Sequence, residues 1–285
     1  MEHSPTAAAL TSRFIAGTHI EDALRVTHRL NQAGFSTTLD YLGESVTTLH
    51  EAAAARHVYL QLLELIHARG LNSNVSLKLT QLGIDVAEEA CRENVTAVAR
   101  RARELNNFVR VDMESSNYTE RTLALVEEVH ARYPNIGAVV QSYLYRAEGD
   151  LDHLIGKQIR VRLVKGAYDE PPSVAFPKKS QVDSNFEKQA RLLLLTGNSP
   201  ALATHDEKLL SAAIRFAAEH NIAKDAYEIQ MLYGIRRDLQ ARFAAQGHRV
   251  RVYVPFGEAW YPYFMRRLAE RPANVYFVAR HMLRR

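Results

Sequence analysis

A closed (β/α)8 barrel is the fold class that the sequence predicts, and three observations predict it. Eight short segments rich in β-branched and aromatic residues recur along the chain, longer helix-like stretches separate them, and 285 residues at 47% hydrophobic content suffice for one large core. Strand and helix alternating throughout argue for a parallel sheet, and eight units in a chain of this length argue for closure. An open, doubly wound sheet or a nucleotide-binding loop would be expected to carry a glycine signature. No GxGxxG follows the first strand, and neither GxxxxGKS nor GxxxxGKT occurs. One domain covering residues 1–285 is expected, with residues 1–20 as an N-terminal arm or helix.

The strand-like segments, in order, are STTLDYL (36–42), NVSLKLT (74–80), NFVRVDM (107–113), GAVVQSYL (137–144), IRVRLVK (159–165), ALAT (201–204), YEIQML (227–232) and HRVRVYVPF (248–256). Most are β-branched or aromatic enough for a strand, and each ends near polar residues, Gly or Pro. Helix-like stretches fall near 21–33, 48–69, 86–106, 119–132, 184–196, 207–219, 234–246 and 259–270, and DLDHLIGK (150–157) supplies the short helix between the fourth and fifth strands. Asp85 with Glu88, and Ser184 with Glu187, have capping-box spacing and predict helix starts. The Pro-rich stretch DEPPSVAFPKKSQVDSNF after Tyr168 predicts a loop that covers or flanks the barrel mouth.

Composition narrows the function classes. Lys and Arg number 36 against 32 Asp and Glu, a net charge of +4 with no basic tail, zinc-finger spacing or long cationic block, so no nucleic-acid partner is expected. The single cysteine, Cys91, excludes an intrachain disulfide framework and a Cys-based zinc site, and its helical neighbourhood predicts a small buried residue. The first residues lack a secretory pattern and no window approaches 18 uncharged apolar residues, so a reducing, cytoplasmic location without a membrane span is expected. The histidines show no H-E-x-x-H spacing, and no metal is predicted.

In such a barrel, chemistry belongs at the C-terminal ends of the strands. Those ends read Asp40 and Glu44, Lys78, Asp112, Gln141, Arg162 with Lys165, Thr204 with His205, Glu228 with Gln230, and Tyr253. Ionisable groups inside strands are costly unless paired or open to a pocket, so a ring of them is a site candidate. Each one alone is equally well read as a strand-end charge satisfied by its neighbour. RLVKGAY says more, because alternation sets Arg162 and Lys165 on opposite sides and Gly166 lets backbone amides approach a bulky group. A backbone nest beside two cations suits phosphate or another anion.

The stretch AWYPYFMRRLAERPAN (259–274) carries a second candidate. Tyr263, Arg266, Arg267 and Glu270 share one helix face, while Trp260, Phe264 and Leu268 form a separate apolar line. A solvated amphipathic surface would explain that face cheaply. The alternative is a two-arginine clamp for a small carboxylate, walled by the tyrosine ring.

LKLTQLG, VRVDMES, RLVKGAY, ALATHD, YVPFG and above all YFMRRLAERPAN resemble, in order and spacing, the proline dehydrogenase family, particularly its bacterial monofunctional members. The resemblance runs over most of the chain. It implies a distorted (β/α)8 TIM barrel with the last helix lying over the C-terminal mouth, and it implies non-covalently bound FAD. Such a helix would turn a polar, ligand-reading face inward, which accounts for the tyrosine and the arginine pair.

By the same resemblance Asp112 and Arg162 are the paired catalytic residues, with Arg162 also reaching the flavin. Arg266 and Arg267 clamp the proline carboxylate with Lys78 nearby, and Tyr168, Tyr253 and Tyr263 enclose the pyrrolidine ring. Flavin contacts fall on Met113, Gln141, Arg162, Lys165, Gly166, Ala167, Thr204, His205, Gln230 and Glu270. Glu44 resembles an acid that gates the site by pairing with Arg162. The implied reaction is oxidation of L-proline to 1-pyrroline-5-carboxylate, the first step of proline catabolism to glutamate, with electrons passed to a membrane quinone. Peripheral contact with the inner face of the cytoplasmic membrane and hand-off of the product to a 1-pyrroline-5-carboxylate dehydrogenase are implied with it.

Two other functions fit parts of the pattern. A phosphate-binding barrel aldolase or isomerase would use Lys78 or Lys165 as its reactive amine. A non-catalytic anion-binding protein would use the arginine pair as a docking face. Neither explains why tyrosines accompany the arginines.

Overall fold

The computed structural model describes residues 13–269, with side chains as far as Met265. Eight parallel strands close on themselves in chain order, β1 pairing with both β2 and β8. The strands are β1 (Ser36–Tyr41), β2 (Ser73–Leu77), β3 (Val109–Val111), β4 (Ile136–Gln141), β5 (Arg160–Val164), β6 (Ala201–Ala203), β7 (Glu228–Leu232) and β8 (Val250–Phe256). The helices described are α1 (Ile20–Gln32), α2 (Leu49–Ala68), α3 (Glu88–Glu104), α4 (Ser116–Arg132), α5 (Ala147–Gly156), α6 (Lys179–Thr196), α7 (Glu207–Glu219), α8 (Arg237–Ala245) and α9 (Trp260–Ala269). The predicted barrel is therefore the observed one.

Alternation along the strands divides two environments. Leu39, Val75, Leu77, Val109, Val111, Val161, Leu163, Ile229, Val252 and Val254 join the buried apolar cluster between sheet and helices. The intervening residues face the barrel interior, where Arg162 reaches side chains from β2, β3 and β7. The main core thus lies around the barrel, and the interior is left to polar groups.

The last helix departs from a regular barrel for a reason visible in the packing. Helix α1 packs against both β1 and β8, the flank that the eighth helix of a regular barrel would cover. Helix α9 sits instead at the C-terminal end, with Phe264 packed among Phe14, Ile15 and Leu42 and its ring 6.3 Å from that of Phe14. Residues 13–17 run across the same end, held by Ala16 N–H donating to Pro255 (2.9 Å) and Gly257 N–H donating to Gly17 (3.0 Å).

Several boundaries differ from expectation, each for a local reason. Asp85 does not cap α3, which begins at Glu88 after Ala87; its carboxylate accepts from Tyr118 (2.6 Å) and Arg121 (3.1 Å). Ser184 lies inside α6, which starts at Lys179, with Gln181 accepting from the Lys178 backbone N–H at 3.2 Å. A three-residue Ser–Glu spacing is also one turn of a helix interior, which is why the signal misled. Strand β2 stops at Leu77 because the Thr80 backbone N–H turns to Glu114 (3.1 Å). Strand β4 stops at Gln141 because residues 143–145 pair with the loop before α6, Phe176 donating to Tyr143 (2.8 Å) and Tyr145 to Val174 (3.0 Å).

Candidate active site

Inside the barrel, the polar faces of the strands meet in one connected network. Asp112 on the end of β3 is its hub, accepting from Arg162 Nη1, the Ser76 hydroxyl and the Tyr253 hydroxyl, each at 2.6 Å. Lys78, just past β2, donates to Asp40 of β1 at 3.0 Å and stands 3.8 Å from Asp112. Arg162 spends its Nε on the Gln230 side-chain oxygen at 2.6 Å and lies 5.3 Å from the Tyr253 ring centre. Its Nη2 is buried with no hydrogen-bond partner among the described residues, as are Gln141 Oε1 and Asp40 Oδ2.

Burial and charge act against each other here. Burial by itself would lift the Asp112 carboxyl, but the charges of Arg162 and Lys78 and the Ser76 and Tyr253 hydroxyls hold it below the ordinary range. Asp40, fully buried, is pushed up by desolvation despite Lys78. Lys78 is raised: burial opposes its charge, and Asp40 and Asp112 overcome that. Tyr253 is raised well above the normal phenol range by burial and by the two carboxylates, so it remains a donor.

A cavity of about 600 Å³ opens above this network at the C-terminal ends of the strands. It is lined by Lys78, Asp112, Met113, Gln141, Arg162, Lys165, Gly166, Ala167, Tyr168, Thr204, His205, Gln230, Tyr253 and Tyr263, so the structure brings these expected residues to one place. Tyr263 arrives from α9, buried to 7% exposure. Glu44 follows β1 but is not among the lining residues, and the carboxylate paired with Arg162 is Asp112. Arg266 and Arg267 follow Tyr263 on α9, and their side chains, with Glu270, lie outside the described residues.

Individual placements refine the expected roles. Lys165 points away from Arg162 as alternation requires, but its charge is met by Asp183 (2.5 Å) and Asp206 (3.0 Å). Gly166 has φ +117°, and a Cβ there would come within 2.4 Å of the Tyr143 ring, so a tyrosine face is the bulky neighbour that demands glycine. His205 Nε2 accepts from the Leu232 backbone N–H at 2.9 Å and ties the ends of β6 and β7 together. Gln141 donates to the Glu114 carbonyl at 3.1 Å. Glu228 is not at the mouth: it opens β7 on the barrel floor, pairs in register with Ala201, and accepts from Arg249 and Arg251.

The structure adds lining residues for which no site role was expected. Asp40 was visible only as one more strand-end charge. Val139, Val164 and Leu232 looked like ordinary strand residues, yet each shares a strand face with Gln141, Arg162 or Gln230, and that period of two was the available signal. They give the cavity apolar walls between polar edges. Among the described residues no cluster of His, Cys, Asp and Glu could hold a metal ion.

The model of the family described as proline dehydrogenase matches residues 23–280, which include every strand of the barrel and α9. The chain belongs to the proline dehydrogenase family. Proline dehydrogenase 1 of Bacillus subtilis is 41% identical over 273 residues, covering 96% of this chain and 90% of that protein. Proline dehydrogenase of Deinococcus radiodurans is 41% identical over 282 residues with the same coverage, 96% and 90%. A solved structure of proline utilization A (PutA) from Bdellovibrio bacteriovorus inactivated by N-propargylglycine superposes with a TM-score of 0.85 at 27% identity, over 92% of this chain and 32% of that one. The similarity to the two monofunctional proline dehydrogenases therefore extends over nearly their whole length, whereas the PutA match concerns about a third of a longer chain.

Proposed function

We propose that this protein catalyses the FAD-dependent oxidation of L-proline to 1-pyrroline-5-carboxylate and passes the electrons to a quinone. The observation that carries the reading is the coincidence, in one family-matched cavity, of apolar walls with buried polar atoms that lack partners among the described residues, Arg162 Nη2 and Gln141 Oε1 among them. An orphaned donor and an orphaned acceptor are costly unless a ligand completes them. The residues fit a flavin: a flat heteroaromatic ring needs apolar faces and both kinds of hydrogen-bonding edge. Val139, Val164 and Leu232 offer the faces, and Arg162 and Gln141 the edges. A second, open cavity beside the first shares Lys165, Thr204 and His205 with it and includes Lys208 and Arg215, giving room and cationic groups for a dinucleotide tail.

Bound there, FAD supplies the electron acceptor that the side chains lack. The chain's own residues bind and orient the substrate. Lys78, with Arg266 and Arg267, holds the proline carboxylate, and Tyr168, Tyr253 and Tyr263 pack around the ring. Asp112 is a poor general base, since three donors engage it and its carboxyl is held below the usual range. Its role is to keep Arg162 and Tyr253 in place. The Lys78 and Lys165 amines are each ion-paired, which argues against a Schiff-base lysine, because that chemistry needs a neutral amine.

No helix of the described residues is long and apolar enough to cross a membrane. Electron delivery to a membrane quinone would then be a peripheral encounter from the cytoplasm, and the product would pass to a 1-pyrroline-5-carboxylate dehydrogenase. The deciding experiment is the visible spectrum of the purified protein before and after anaerobic L-proline. Flavin bands that bleach are expected. A protein that stays colourless after incubation with FAD overturns the proposal and brings the lysines back as reactive amines.

A further inference from the structure

We infer that Glu228, on the barrel floor and outside the cavity, is a positioning residue that fixes the direction of Arg162 through the Gln230 amide. The inference rests on the proposed function for its catalytic consequence, but its structural content stands apart from it. Gln230 lies between two groups that leave it a single orientation. Arg162 Nε can only donate, so the Gln230 oxygen must face it, at 2.6 Å. An ionised Glu228 can only accept, so the Gln230 NH2 must face that side, at 3.0 Å from Oε2. A flipped amide would set donor against donor at one end and acceptor against acceptor at the other.

Glu228 is itself held. Arg251 grips both carboxylate oxygens, Nε to Oε2 at 2.9 Å and Nη2 to Oε1 at 2.8 Å, and its remaining Nη1 donates to the Thr37 carbonyl at 2.6 Å. Arg249 Nη2 adds a further bond to Oε1 at 2.7 Å. Such bidentate, charge-assisted pairs are the geometrically specific ones. Burial would lift this carboxyl, but Arg251 and the other donors hold it down at about 2, so it stays an acceptor through the working pH range.

The consequence reaches the cavity. With Nε on Gln230 and Nη1 on Asp112 and Ser76, Arg162 has one corner left, Nη2, and that corner has no partner among the described residues. Gln230 and Asp112 clamp the guanidinium from two sides so that the third is presented. Removing the floor charge releases one side of the clamp. In Glu228→Gln the new amide can donate to the Gln230 oxygen, which turns the Gln230 NH2 towards Arg162 Nε, a donor facing a donor.

The test uses the full chain and two readouts. In flavin-free protein, the Arg162 Nε–H resonance in a nitrogen–proton correlation spectrum, assigned by its loss in Arg162→Lys, should be protected from exchange. E228Q should exchange it about tenfold faster or more, and with FAD bound should lower kcat for proline by a similar factor while KM changes less than about twofold. The exchanged pair E228Q/Q230E restores an acceptor opposite Nε and keeps the total charge, so it should recover the protection. Gln230→Met, which leaves the floor ion pair intact, should lose it even if E228Q fails to fold. Wild-type protection and kcat in E228Q, or in Q230M where E228Q does not fold, overturn the proposal, as does a well-folded exchanged pair without protection. If the wild type does not oxidise proline but the resonance behaves as expected, the proposed function fails and the clamp stands.

Discussion

Replacing Asp112 by Asn tests the hub of the barrel interior. The substitution keeps the shape and removes the charge shared by Arg162 at 2.6 Å and Lys78 at 3.8 Å, both of them largely buried. An amide oxygen can still serve Arg162 and Ser76, but the NH2 group must then face the Tyr253 hydroxyl and Lys78. Breaking a buried pair from one side costs about 3–5 kcal/mol, because the remaining cation is left uncompensated. Lys78 keeps Asp40, so the lower end applies, about 3 kcal/mol. At roughly 2–4 °C per kcal/mol for a chain of this size, the flavin-free protein should melt about 6–12 °C lower at pH 7. Flavin reduction by proline, followed anaerobically well below the melt, should slow by about a hundredfold or more, since Arg162 and Tyr253 both lose their anchor. The exposed Glu148–Lys188 pair is the control, and Glu148→Gln should leave the melt unchanged. A D112N melt within about 2 °C of wild type refutes the claim that this carboxylate organises the buried charges.

Four further outcomes are expected. Glu228 and Asp112 have depressed carboxyls, so their stabilisation is complete above the unfolded value near 4 and is lost as pH falls through the folded one; chemical denaturation should show stability dropping between about pH 5 and 2, with Glu228 alone giving up about 3 kcal/mol. Asp40 works in the opposite direction, its raised carboxyl costing stability at neutral pH and relieving that cost on acidification, so an Asp40→Asn variant should lose less stability at neutral pH than D112N does. Gly166→Ala forces a Cβ into the Tyr143 ring at a left-handed φ, and FAD affinity measured by flavin fluorescence should weaken about tenfold, an unchanged affinity removing this turn from the flavin site. Tyr253→Ser opens the cavity beside Asp112, and the preference for proline over hydroxyproline should shrink, an unchanged ratio showing that this ring does not crowd the substrate edge.

The fold was legible because the outward strand faces are so uniformly apolar. In VRVDM, Val109 and Val111 join the apolar cluster while Arg110 is buried inside and Asp112 lines the cavity, and that alternation is written in the chain. Depth along the barrel axis was not written there. Glu228 and Gln230 share a face, and only the register against β6 shows that one sits on the floor and the other at the mouth. Strand ends were also obscure, because Glu114 and residues 174–176 stop β2 and β4 from far along the chain. The polar face of the last helix could be read as unusual, but its cause needed the packing of α1 against β1 and β8, which leaves α9 the mouth.

A barrel interior normally filled by branched aliphatic side chains is here given to charge. Lys78, Arg110, Arg162 and Arg251 meet Asp40, Asp112 and Glu228 inside it. Arg110 stands apart: among the described residues it donates to the Ala138 (3.0 Å) and Arg160 (2.6 Å) carbonyls, and burial disfavours its positive charge. Replacing such pairs by aliphatic residues often leaves a protein as stable or more so, so stability alone does not account for them. What the network supplies is direction: Arg162 Nε and Nη1 are consumed while Nη2 is left, and Asp112 and Glu228 are each held by several donors at once. An interior that presents the Nη2 corner of Arg162, unpartnered among the described residues, to a cavity is arranged to be completed by an anion or by an acceptor edge. The apolar side of every strand, packed against the helices, carries the burial that stabilises the fold, which frees the inner side for that purpose.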